Sequence, residues 1–198
     1  MNKKSNNSNK RLESTKAYMD ALSAKHSKLN VVRVDLAYKK PYSEGISLEE
    51  ANSDIEHMFN NMRSKPSIFK EKVGHIVKRE YTKDKGVHLH AVFIFDGQKV
   101  QKDAYKAEQI GKYWEEQITD KKGSYHNCHR NKYERHGIGM LDHSDSEKRK
   151  ILDEDVLSYL CKDGQDIAPV KSGKKDRAFT RGLMPKSKEK SGRPRKEK

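Results

Sequence analysis

The sequence predicts a domain that mixes strands and helices, and three observations carry that reading. Residues 31–38 and 87–95 are alternating or β-branched runs of strand character. Residues 73–81 form a third such run, joined to 87–95 by the short polar linker Thr82-Lys83-Asp84-Lys85-Gly86, the simplest form of a hairpin. Around them lie segments whose apolar residues recur at helical spacing.

Taken in order, residues 1–10 are polar and are expected to be mobile. A helix follows over 11–28, with Leu12, Met19 and Leu22 near one face. The first strand, 31–38, is broken by Pro41 and Gly45. Ser47 with Glu50 three residues on forms a capping box for a helix to about Arg63, which buries Leu48, Ile55, Met58, Phe59 and Met62. Asp96-Gly97 closes the third strand, and 102–118 carries Ala107, Ile110, Gly111, Trp114 and Ile118 at helical spacing. Residues 119–137 read as polar and irregular, 137–141 as a short strand, and 147–162 as an amphipathic helix.

Composition narrows the function. The 198 residues suit one domain plus tails. The net charge of +14 argues for a polyanionic partner, nucleic acid first. Much of the excess lies in 171–198, where twelve Lys or Arg stand against three Asp or Glu, and 186–198 is expected to be disordered. No apolar run approaches the ~20 residues that cross a bilayer. With no signal-like segment at the start, the expected location is cytoplasmic. Cys128 and Cys161 match neither a disulfide framework nor a zinc pattern.

The chemistry gathers at His88-Leu89-His90. Side chains alternate across a strand, so both imidazoles face one way while Leu89, Ala91, Phe93 and Phe95 face the other. On the preceding strand, Gly74, Ile76, Lys78 and Glu80 share a face, and the hairpin returns Glu80 to the histidines. Two imidazoles and a carboxylate suit a divalent metal with open positions, Mn²⁺ or Mg²⁺, with the histidines favouring Mn²⁺. Such an ion polarises a phosphoryl oxygen. Tyr159 and Lys162, three apart on the last helix, are read as nucleophile and assisting cation. Each residue alone has a plainer reading: exposed histidines, a solvated glutamate, a half-buried tyrosine. The acid, hairpin, paired histidines and distant Tyr and Lys together make the stronger case. Asp35, sharing a parity class with Arg33, is assigned to the strand surface. His126, Cys128, His129 and His136 are assigned to a polar loop rather than a zinc cluster. Trp114 and Tyr113 are expected in the core, with Tyr113 also able to stack on a base, and Gly192-Arg193-Pro194-Arg195 is similar to a minor-groove hook.

These motifs resemble the HUH-type endonucleases of the rolling-circle replication initiator class. His88-Leu89-His90 matches the second motif of that class, Glu80 its acidic third ligand, and Val156, Tyr159, Leu160 and Lys162 its third motif. The span from Arg79-Glu80 to His90 is also similar to that region of geminivirus replication proteins. More narrowly, Val32-Arg33-Val34-Asp35-Leu36, Gly74-His75-Ile76-Val77-Lys78-Arg79-Glu80, Ile110-Gly111-Lys112-Tyr113-Trp114, Gly137-Ile138-Gly139 and Arg177-Ala178-Phe179-Thr180-Arg181-Gly182 resemble inovirus gene-two-type replication proteins and their prophage relatives. The resemblance implies an α+β fold with a central antiparallel sheet flanked by helices. It implies metal-dependent nicking of one DNA strand through a 5′-phosphotyrosyl intermediate in a bacterial host. It divides the chain into a polar tail and helix (1–28), the endonuclease domain (29–182) and a basic tail (183–198). The first-motif strand, 31–38, matches poorly. Positions 155 and 163 are aspartates, so the motif holds one tyrosine. The expected partners are single-stranded or origin DNA, with helicase and polymerase supplied by the host, because no ATP-binding motif is present. The same chemistry serves relaxases and single-strand transposases, and a DNA-binding repressor on the same scaffold is the non-enzymatic alternative.

Overall fold

A computed structural model describes residues 3–162, 167–173 and 176–186. It is an α+β fold built on an open antiparallel sheet. The elements are Lys3–Lys25 (α1), Lys28–Tyr38 (β1), Leu48–Asn61 (α2), Pro66–Phe69 (α3), Lys72–Thr82 (β2), Gly86–Asp96 (β3), Asp103–Tyr113 (α4), Gly123–Asn127 (β4), Gly139–Asp142 (β5), Ser146–Ile151 (α5), Ser158–Cys161 (α6) and Phe179–Arg181 (β6). The sheet order is β4-β1-β3-β2-β6, with β5 also paired to β1, and every pairing is antiparallel. Short π-helical stretches, Trp114–Ile118 and Leu152–Leu157, extend α4 and join α5 to α6.

Strand parity sorts the core into two clusters. Val32, Val34 and Leu36 of β1, Val77 of β2, and Leu89, Ala91, Phe93 and Phe95 of β3 pack with Ile55 and Met58 of α2 and with Ala107, Ile110 and Trp114. On the opposite face, Val31, Ile76, Val92 and Ile94 pack with Tyr18, Met19 and Leu22 of α1 and with Leu152, Val156, Leu157 and Leu160. β3 is therefore buried on both faces. The helices on the second face cover only part of the strands. Beyond them, that face carries Arg33, Asp35, Lys78, Glu80, His88 and His90 in place of apolar residues.

Several expectations hold: the hairpin of β2 and β3, the capping box at Ser47 and Glu50, and the burial of Trp114 and Tyr113. Burial of Tyr113 removes it as a stacking surface for a base. The helix expected from Arg11 begins at Lys3 instead. Ser8 Oγ donates to the Cys161 carbonyl at 2.8 Å and Arg11 to the same oxygen at 3.0 Å, so the polar start is anchored to α6. The stretch expected to be irregular contains β4, and β6 was likewise unforeseen. Both are short and pair through backbone groups, so neither shows the long apolar alternation that marks the central strands. The Gly192–Arg195 hook and most of the basic tail lie outside the described residues.

The hairpin turn depends on Gly86, which adopts φ +67°. A Cβ there would also lie 2.2 Å from the Ser43 carbonyl oxygen. Gly86→Ala is expected to lower stability by at least about 1–2 kcal/mol, read from the midpoint of urea unfolding. An unchanged midpoint would show that the turn adapts without cost.

Candidate functional site

The register of three strands assembles the site. Across the sheet, Lys78 of β2 pairs with His90 of β3, His90 with Asp35 of β1, and Asp35 with His126 of β4. One step along, Glu80 pairs with His88. Directly opposed residues share a face, so the expected convergence of Glu80 with both histidines is realised. All three are buried.

The donor set fits a cation. His88 Nδ1–H donates to the Gly86 carbonyl at 3.1 Å, which leaves Nε2 as the lone-pair nitrogen, 3.6 Å from Glu80 Oε2. His90 Nε2 lies 3.1 Å from the same oxygen. One atom from each residue falls within 4.8 Å of the others. Ligand bonds of about 2.0–2.2 Å at roughly 90–110° would set donors about 2.8–3.6 Å apart, and the two separations to Glu80 lie in that interval. The buried Glu80-His88-His90 group is thus able to hold a metal ion. Among the described residues, no other cluster of this kind is found.

Two neighbours complete the ligand geometry, and sequence reasoning missed both. Asp35 Oδ1 approaches His90 Nδ1 to 2.8 Å, a close charge contact without the alignment of a hydrogen bond. A carboxylate against an imidazole favours protonation of the facing nitrogen and leaves the far one free for a metal, so Asp35 would position His90 rather than serve the strand surface alone. Lys78 Nζ, also buried, pairs with Glu80 Oε1 at 2.5 Å and leaves Oε2 for the histidines. The signal for both lay in the parity classes: each is two residues from, or directly across from, a ligand.

The charges shift accordingly. Burial opposes ionisation of Glu80, but contacts with His88, His90 and Lys78 outweigh it and hold the carboxyl far below its usual range. Burial disfavours a charge on His90, yet Asp35 and Glu80 prevail and raise its proton affinity. Asp35 is lowered, despite burial, by His90 and Arg33.

Tyr159 arrives from α6. Its hydroxyl lies 3.1 Å from His90 Nε2, and its ring stands edge-on to that imidazole at 5.3 Å. Lys78 Nζ sits 4.8 Å and the Arg33 guanidinium 5.2 Å from the ring centroid. Lys78 also donates to the Tyr159 carbonyl at 3.2 Å. Burial, then the negative charge of Glu80, raises the phenol proton affinity, while Arg33 opposes the rise. The residue as a whole remains 37% exposed.

Lys162 is the C-cap of α6, its N–H on the Ser158 carbonyl at 3.1 Å, and it is exposed. Lys78 is a second lysine, unforeseen, that stands against the phenol ring. Among the other histidines, His129 Nε2 accepts the Arg33 backbone N–H at 3.1 Å while Nδ1 faces Asp103 at 3.4 Å. Its Nε2 is thus engaged with the backbone of β1.

A family model described as the YagK/YfjJ C-terminal domain matches residues 1–181. No curated protein and no solved structure matches the chain.

Two outcomes test the metal geometry. Asp35→Asn is expected to weaken Mn²⁺ binding about 10–100-fold in calorimetric titration while Glu80→Gln abolishes it; unchanged affinity in Asp35→Asn would remove its positioning role. His90, with its raised proton affinity, stabilises the metal-free fold below its unfolded value of about 6.5, and this stabilisation fades as pH rises through the raised value. A metal must displace that proton, so Mn²⁺ affinity is expected to climb as pH rises through the same window. Binding that does not vary with pH would exclude His90 as a ligand.

Proposed function

The chain belongs to the YagK/YfjJ C-terminal domain family, and from its buried metal-ligand group we propose that it is a metal-dependent endonuclease that nicks and rejoins single-stranded DNA through Tyr159. The observation that carries this reading is the 3.1 Å approach of the Tyr159 hydroxyl to His90 Nε2. A nucleophile-bearing side chain standing at the edge of a metal-ligand set is the arrangement that phosphoryl transfer requires.

Each residue has a task in this reading. Glu80, His88 and His90 would hold the ion, and two imidazoles out of three ligands favour Mn²⁺ over Mg²⁺. When bound, it supplies positive charge to a phosphoryl oxygen and to the phenol. Tyr159 is a weak nucleophile as it stands, because its proton affinity is raised by burial and by Glu80. Lys78 and Arg33 offset that by presenting cations to the phenol ring and to the negative charge of an attacked phosphate. The Tyr159 oxygen forms a bond to phosphorus as the bond to the 3′-oxygen breaks. The phenol proton passes to water, and the departing oxygen takes one from water. The product is a 5′-phosphotyrosyl ester, whose bond energy is retained for rejoining. The charge of +14 supports a polyanionic substrate. Initiation of rolling-circle replication from a prophage-type element, with host helicase and polymerase, is the biological setting that the sequence resemblance favours.

The test is a gel-shift assay for covalent protein–DNA adduct, using single-stranded oligonucleotides and Mn²⁺. Wild type is expected to form an adduct that chelation prevents. Tyr159→Phe is expected to bind DNA and form none. An undiminished adduct in Tyr159→Phe would reject the nucleophile, and binding without any adduct in wild type would favour the repressor reading.

A further inference from the structure

A cavity of about 420 Å³ lies on the side of the histidines away from Tyr159. The strands act as a ruler for this placement. Along β1, Arg33 lies under the Tyr159 ring, Asp35 lies against His90, and the cavity wall runs from Asp35 on to Tyr38. β3 runs the opposite way, with Val92 level with Arg33 and His90 level with Asp35, so His88 lies further from the phenol again. Two residues of strand span about 6.8 Å. The phenol and the cavity therefore flank the imidazoles along the strand axis, and Tyr159 is not one of the cavity walls.

The cavity joins an apolar wall with Leu36, Ala37 and Tyr38 to polar groups able to hold a sugar–phosphate chain, and Asp35 and Asp84 are its two carboxylates. His88 and His90 form its inner end. Lys40 and Lys85 bring exposed ammonium groups to its mouth, and Ser124 and His126 from β4 line one side. The Lys40 ammonium is only loosely held, 3.5 Å from an exposed Asp84 carboxylate. Its volume lies within the range of about 300–1,000 Å³ usual for small-ligand sites.

In-line displacement at phosphorus puts the attacking and departing oxygens on opposite sides of the transferred group. With Tyr159 attacking from one end of the strand axis, the departing 3′-oxygen lies at the other. We propose that this cavity seats the nucleotide that carries the departing 3′-oxygen, and so holds the 3′-hydroxyl end of the cut strand. The proposal rests on the nicking reading. It also gives rejoining a place. A 3′-hydroxyl held there attacks the phosphotyrosine, the phosphodiester re-forms, the Tyr159–phosphorus bond breaks, the hydroxyl proton goes to water and the phenol takes one back.

Charge reversal at the mouth tests this without touching ligands or nucleophile. Binding of a fluorescent thymidine oligonucleotide with a free 3′-hydroxyl is measured by anisotropy in Tyr159→Phe protein, alone and combined with Lys40→Glu and Lys85→Glu. Capture of an acceptor of the same kind by preformed adduct is measured in protein with an intact Tyr159. Lys132→Glu with Lys150→Glu, two exposed positions outside this cavity, the first lining a different one beside Arg33 and Tyr133, makes the same change in net charge. The paired reversal is expected to weaken binding about tenfold and to raise the acceptor concentration needed for capture to match, with the control pair affecting each much less. Equal losses in the control, or no loss in the paired variant, overturn the seat and leave the nicking reading standing. Absence of any Tyr159-dependent adduct in wild type overturns both.

Discussion

A carboxylate buried against a sheet is the constraint around which the rest of the site is arranged. Glu80 is 2% exposed and remains ionised. An ion in that position is tolerated only when positive or hydrogen-bonding groups surround it. Lys78 takes one oxygen, and the two histidines approach the other. Each of these partners is supplied by the hairpin: Lys78 from the same face of β2, His88 directly across on β3, and His90 diagonally, across from Lys78. The central hairpin therefore creates both the need for compensation and the groups that provide it. Gly86 contributes twice, through the turn that sets the register and through the carbonyl that fixes the His88 tautomer.

This dependence explains why the ligand group was legible in the sequence. Period-two alternation and a short linker were enough to bring Glu80, His88 and His90 together, because neither requires knowledge of distant contacts. Asp35 was visible in the same alternation, yet its role was not. Its partner is set by the register between β1 and β3, strands separated by two helices and β2, and nothing local in the chain reports that register. Lys78 was placed on the correct face and passed over, because a lysine on a strand reads as a solvent-facing residue until its burial is known.

The last helix shows the opposite case. Its existence followed from apolar spacing, but the π-helical turn at Leu152–Leu157 did not. A wider turn before Tyr159 rotates every later side chain about the axis, so counting along the segment does not by itself say which way Tyr159 faces. The phenol still reaches the histidines because Leu157 and Leu160 on either side of it are buried against the second core cluster. Packing, rather than the charge pattern around the motif, sets where Tyr159 points.

The carbonyl of Cys161 ties the first helix to the segment that carries Tyr159. It accepts from both Ser8 and Arg11, so the first turns of α1 clasp the end of the segment that presents the phenol. That clasp makes the first turns of α1 a mechanical brace for the segment that carries Tyr159. Trimming them would leave the imidazole cradle intact while loosening the arm that brings the phenol to it.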